Sequence, residues 1–156
     1  MKTQDRQDEA SQPARREAMA VIARADGDAL RRLWAEAGFD ERAELVRGPE
    51  TGLVMLRGRM GGGGAAFNLG EATVTRATVR LATGEVGHAY ALGRDRDKVR
   101  IAATVDALWQ RPQSRDRVED RIVAPLRDVS MAADDARRRE TAATKVDFFT
   151  MVRGED

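Results

Sequence analysis

The hydrophobic repeat of this chain changes twice, and those changes restrict its fold more than any other feature. From Pro13 to Ala37 apolar residues recur at helical spacing, with Met19, Ile22 and Ala23 on one face. Leu30, Leu33, Trp34 and Ala37 follow at i, i+3, i+4 and i+7. From Ala43 to Gly93 the repeat drops to two. Ala43–Arg47, Thr51–Met60, Ala72–Ala82 and Glu85–Gly93 are β-branched or alternating, with turn residues between them. Helical spacing returns at Asp95, where Ile101, Ala102, Val105, Leu108 and Trp109 form one stripe. The links between the extended segments are too short for crossover helices, so neighbouring strands must pair antiparallel. The pattern predicts an α+β fold: a four- to five-stranded, mostly antiparallel sheet flanked by N-terminal and C-terminal helices, with an extended C-terminal arm.

Local signals set the expected boundaries. Residues 1–12 are polar and read as a disordered tail, with the first helix starting at Pro13, a residue tolerated in a first turn. "ADGDA" breaks that helix; Asp28 is the expected N-cap of the next one and Gly38 its C-cap. "GPETG" reads as a link between two strands, and "TG" at Thr83–Gly84 as a tight hairpin. Asp95 is the expected N-cap of the helix that ends before Pro112, and a short helix over Val118–Ala124 should stop at Pro125. Residues 13–128 thus make the domain. Residues 129–156 add a polar helix with little to bury, then the apolar ending "KVDFFTMVRGED", and together they read as a partner-binding segment. Termini are normally polar and frayed, so Phe148, Phe149 and Met151 call for a docking surface, on the chain's own sheet or on another subunit.

Composition narrows the chemistry. The chain has no cysteine and one histidine, His88, which excludes thiolate catalysis, disulfides, an iron–sulfur cluster and a zinc site built from this chain alone. Lys+Arg 27 against Asp+Glu 26 leaves a net charge of +1, so no global field draws it to nucleic acid or membrane. No segment reaches the apolar length of a membrane span or a secretory signal, and the expected location is cytoplasmic.

Three features could carry a site. "RMGGGGAAF", from Arg59 to Phe67, holds four consecutive glycines, but neither GxxxxGK[ST] nor a strand–glycine–helix context accompanies it. Its amides could nest an anion; a hairpin loop using positive φ explains it more simply. In "TVTRATVRLATG", alternation puts Thr73, Thr75, Ala77, Val79 and Leu81 on one face. Arg76 and Arg80 then share the other with Val74 and Thr78, while Arg57 and Arg59 share a face of their own strand. Such guanidinium groups could hold a polyphosphate or an acidic partner surface, or merely be solvated. His88, with Tyr90 on its strand face, is a general base only if it meets a carboxylate and a substrate. Paired acids such as Asp134–Asp135 and Asp95–Asp97 could ligate magnesium, though capping and solubility account for them.

Taken together, "ETGLVMLRGRMGGGGAAFNLGEATVTRATVRLATGEVGHAYALGRD" (Glu50 to Asp95) and "VDFFTMVRG" (Val146 to Gly154) resemble the G subunit family of the bacterial carbon–phosphorus lyase system, PhnG. The resemblance extends from about Met19 to the C-terminus and is weak over the first dozen residues. It implies a core complex with H, I and J subunits, to which ATP-binding-cassette-like K and L subunits attach. That system uses ATP and magnesium to make ribose 1-alkylphosphonate 5-triphosphate, with adenine displaced and the nucleosidase chemistry on the I subunit. Later carbon–phosphorus cleavage uses iron–sulfur and S-adenosylmethionine chemistry on another subunit, so no cofactor is expected on this chain. The implied role is accessory and non-catalytic. Arg59, Arg76, Arg80, Phe148, Phe149 and Met151 are the candidate partner or anion contacts. Two alternatives stay open: a stand-alone enzyme using His88 and arginines on a phosphorylated substrate, and a purely structural assembly scaffold.

Overall fold

The computed structural model describes the backbone of residues 2–144, and side chains from residue 12 onward except at residue 62. Two helices, α1 (Lys2–Arg24) and α2 (Gly27–Ala37), precede three strands, β1 (Ala43–Arg59), β2 (Ala66–Leu81) and β3 (Val86–Leu92). Helices α3 (Arg96–Gln110) and α4 (Pro112–Val118) follow, then a π-helical turn (Glu119–Val123) and α5 (Ala124–Ala143).

The sheet is an antiparallel meander in the order β1-β2-β3. It has three strands rather than four or five. The two segments on either side of "GPETG" are one strand, because β2 is a continuous template long enough to pair with both. Register shifts between Leu45 and Arg47 and between Arg47 and Glu50 absorb the extra residues, with Gly48 at φ 68° beside a cis bond to Pro49. A bulge within one strand thus stands where a break between two strands was expected. The "TG" hairpin forms as expected, with Leu81 N–H bonded to Glu85 O at 2.9 Å and Gly84 at φ 106°.

Helix α3 is the centre of the molecule. From Lys98 to Trp109 every residue but Arg100 is buried. A helix apolar nearly all round must be covered on several sides. The sheet covers one, through Ala77, Val79, Leu81 and Ala91. Ile22 of α1, Leu30 of α2, Val118 of α4, Ile122 and Val123 of the π turn and Leu126 of α5 complete the core around it. Gly87 lets β3 lie against α3: a Cβ there would stand 2.6 Å from Ala107 N and closer still to Ala103 O. The opposite face of the sheet carries no described helix of its own.

Four helix boundaries differ from expectation; in one, helical structure begins with α4 at Pro112 rather than at Val118, because Pro112 takes a first-turn position. Helix α1 begins at Lys2 rather than Pro13, since the stretch before Pro13 consists largely of helix-tolerant Lys, Gln, Arg, Glu and Ala without glycine. The N-cap of α2 is Asp26, whose carboxylate accepts from Asp28 N and Ala29 N at 3.0 Å each, while Asp28 pairs with Arg31 at 2.7 Å. Pro125 does not end a helix: the π turn places it in the first turn of α5, where a missing N–H is tolerated. Gly38 closes α2 in the left-handed conformation and Asp95 caps α3, accepting from Lys98 N at 2.8 Å. Beyond Arg127 helix α5 is exposed to Thr144, in keeping with its polar sequence. The C-terminal segment holding Phe148, Phe149 and Met151 lies outside the described residues.

Candidate functional site

The period-two reading of β2 is realised in three dimensions. Thr75, Ala77, Val79 and Leu81 are buried toward α3, and Arg76 and Arg80 emerge on the other face. Tyr90 is the cross-strand partner of Arg76 and His88 that of Thr78, so these four share the uncovered face. Helix α1 runs beside β3, the edge strand, and leaves along that edge a cleft of about 470 Å³ that takes side chains from both faces of the sheet. Met19, Ala20 and Ala23 of α1 with Ala89 and Ala91 of β3 make its wall apolar. Arg16, Arg47, Arg76, His88 and Tyr90 supply its polar atoms.

The cations are held in different ways. Glu50 accepts from Arg76 Nε at 2.7 Å and from Arg47 Nε at 2.5 Å, a triad with one net positive charge. Its carboxyl sits below the usual carboxylate range, chiefly because of Arg76 and then Arg47. Bulging of β1 at Gly48–Pro49 brings Arg47 and Glu50 onto one spot of the sheet. Arg16 reaches the same cleft from α1, on the stripe that also carries Met19, Ala20 and Ala23. His88 Nδ1 and Thr78 Oγ1 are 3.1 Å apart.

Beneath the cleft a buried carboxylate ties three elements together. Asp106 of α3 is 1% exposed, accepts from Arg15 Nε and Nη2 at 2.7 Å each, and accepts from the backbone N–H of His88 at 2.8 Å. Adjacent arginines of α1 therefore part company: Arg15 goes to Asp106 and Arg16 to the cleft. Gln110 Nε2 donates to Val86 O at 2.9 Å, so α3 side chains occupy both an N–H and a C=O on the outer edge of β3. This stops another strand from pairing there and fixes the height of His88 against α1. Because Asp106 is committed to Arg15 and to the backbone, the imidazole of His88 faces a hydroxyl rather than a carboxylate.

The arginines singled out in the sequence are not one cluster. Arg76 is in the cleft. Arg80, opposite Glu44, is exposed at the far end of the strand. Arg59 is at the tip of the β1–β2 hairpin, where its Nη1 donates to Gly64 O at 3.1 Å. The four-glycine run is the loop of that hairpin: a 3₁₀ turn over Met60–Gly62, with Gly61 at φ 59°, is followed by Gly63, Gly64 and Ala65 before β2 starts at Ala66. Arg16 and Arg47 complete the cleft and were not expected. The signal for Arg16 was its place three residues before Met19, on the apolar stripe; Arg47 gave none, since its position depends on a bulge. Among the described residues no three His, Asp or Glu side chains converge to hold a metal ion.

The described residues thus define an α+β domain that carries an arginine-rimmed apolar cleft along the edge of its three-stranded sheet. The chain is a member of the PhnG family: the model of "Phosphonate metabolism protein PhnG" matches residues 13–154. It is 53% identical over 154 residues, 96% of this chain and 95% of the relative, to the alpha-D-ribose 1-methylphosphonate 5-triphosphate synthase subunit PhnG of Rhizobium meliloti (strain 1021). No described helix is long and apolar enough to cross a membrane.

Proposed function

We propose that this chain is an accessory, non-catalytic subunit of a cytoplasmic phosphonate-processing complex. It acts with the I subunit, which carries the nucleosidase chemistry, and with H and L subunits. Together they convert ATP and an alkylphosphonate to ribose 1-alkylphosphonate 5-triphosphate and adenine. J and K subunits complete the assembly, ATP and magnesium serve its partners, and iron–sulfur and S-adenosylmethionine chemistry belongs to another subunit. The observation that carries this reading is the likeness along nearly the whole chain to a synthase subunit. The engagement of Asp106 by Arg15 and the His88 amide supports it, because the one histidine is left with a threonine hydroxyl as ring partner. A base without a carboxylate behind it is poorly placed to drive proton transfer.

The test is adenine release from ATP and methylphosphonate. The lone purified chain should release none, and the co-expressed subunits should release it only when this chain is present. His88→Ala in the assembled complex should leave turnover within about twofold, against the 10²–10⁴-fold that a general base contributes. Adenine release by the chain alone, or a hundredfold loss on His88→Ala, would overturn the proposal. The arginine-rimmed cleft favours one further possibility, that this subunit lends a cation to the substrate's phosphates. Arg76→Ala would then raise KM in a complex assembled at normal yield, and an unchanged KM removes that role.

A further inference from the structure

The distal half of the β1–β2 hairpin is a two-stranded ribbon that leaves the domain and, among the described residues, is covered on neither side. From Thr51 to Ala72 every described side chain is exposed or only half-buried. Yet Leu53 is 62% exposed, Met55 52%, Leu56 44%, Met60 79%, Phe67 43% and Leu69 62%. A hairpin alone in water is marginally stable, and scattered apolar residues would need no explanation. These are not scattered. Alternation along β1 puts Leu53 and Met55 on the side that continues the α3-covered face. Val54 and Leu56 fall on the other. A bulge in β2, which skips Leu69 between Gly70 and Asn68, lays Leu69 across Gly58. Phe67, opposite Gly58, extends that second ridge to the tip. Glycine at position 58 is what allows Leu69 to lie flat there, because any Cβ would meet its Cδ1.

With about 200 Å² for each fully exposed large side chain, the six residues leave on the order of 700 Å² in water, near the ~800 Å² that one partner gives to a standard interface. The side that bears Leu53 and Met55 also bears Arg57 and Arg59, for which no carboxylate partner occurs among the described residues. A twofold contact with a second copy would cover one face of such a ribbon and set like surfaces, cations included, against each other. Apolar ridges on both faces need a partner that closes on both.

We infer that the distal β1–β2 hairpin is an arm that inserts into a cleft of a non-identical subunit, one with apolar walls on both sides and carboxylates at the level of Arg57 and Arg59. The inference rests on the assembly reading above and names the part of the chain that performs it. The glycine loop at the tip then has a physical purpose: it closes the ribbon with minimal width, so that the leading end can enter.

The experiment uses the full chain co-expressed with the other synthase subunits. A photo-crosslinking phenylalanine analogue replaces Leu53 on one face or Leu69 on the other. Both positions should cross-link to the same non-identical subunit. L56D/L69D and R57E/R59E should each reduce recovery of that subunit at least tenfold, with the isolated variants keeping the wild-type circular dichroism spectrum and melting temperature. R32E/E36R, which swaps an exposed ion pair on α2, should recover it at the wild-type level. Cross-links to a second copy of this chain, cross-links from one face only, or undiminished recovery by both hairpin variants would overturn the inference. If the wild-type chain itself recovers no other subunit, the assembly reading fails first and takes this one with it. Wild-type recovery matched by the hairpin variants sinks the arm alone.

Discussion

Replacing Asp106 by asparagine keeps the volume of a buried side chain and removes its charge, and the structure allows the cost to be worked out. The carboxylate is 1% exposed and accepts three hydrogen bonds, two from Arg15 at 2.7 Å and one from the His88 amide at 2.8 Å. An amide offers one acceptor oxygen, so one donor among the three must face an NH₂ group instead. Losing a hydrogen bond to a charged group costs about 1.5–3 kcal/mol, and a donor left unsatisfied about 1–3 kcal/mol. The side chain of Arg15 is 32% exposed, so water takes back part of its charge and the Coulomb loss must be discounted. The net expectation is a destabilisation of about 3 kcal/mol, the low end of what breaking a buried pair costs. For a chain of this size that lowers the melting temperature by roughly 6–12 °C.

The assay is urea unfolding of the purified chain followed by circular dichroism, with the m-value required to stay constant. A second readout tests the cause. Exchange of the His88 amide should quicken in D106N well beyond what the lost global stability explains, because its acceptor has been compromised. A double-mutant cycle with Arg15→Met should return a coupling of at least about 1 kcal/mol. A loss under about 1 kcal/mol, with His88 exchange unchanged, would refute the claim that this carboxylate joins α1, α3 and the edge of β3.

Two other perturbations test neighbouring parts of the argument. Gly87→Ala drives a methyl group into the backbone of α3 at Ala103 and Ala107, where no flexible side chain can give way; a loss of about 3 kcal/mol is expected by urea unfolding, in the range for overpacking a core. Asp95 is held below the ordinary carboxylate range, first by the Lys98 amide and then by Arg31. A depressed folded pKa gives stability that is present above the unfolded value of about 4 and is lost as pH falls through the folded one. D95N should therefore be less stable than the wild type at neutral pH and lose less on acidification below about pH 4. An unchanged acid limb in thermal melts would show that the cap contributes nothing.

Much of the fold was legible because it follows from local rules. The stripe that buries Leu30 and Ala37, the αL glycine at position 38, the Asp95 cap and the alternation of β2 each depend on residues within a turn or two. The errors arose where two local choices were equally good and a distant contact decided between them. Asp26 and Asp28 are both sound N-caps; Arg31 claims Asp28, itself anchored to Asp95 across 64 positions. "GPETG" has the composition of a turn, and only pairing of both its flanks with β2 makes it a bulge. The site suffered more than the fold. Arg76 was visible on its strand, but its companions in the cleft come from the first helix and from a bulge on another strand, and Arg80 and Arg59 are drawn elsewhere.

The sequence by itself determined the succession of helical, extended and helical segments, the buried faces of α2 and β2, and membership of the PhnG family. Those depend on hydrophobic period and on residue strings, which exist before any folding. The tertiary structure alone decided that three strands rather than four or five make the sheet, that Asp106 locks its edge to α1, and that Arg16, Arg47 and Arg76 meet. It also left a hairpin that no other described element covers on either face. The physical reason is range: a repeat is set by neighbours along the chain, whereas a site is set by side chains whose separation in sequence says nothing of their distance in space.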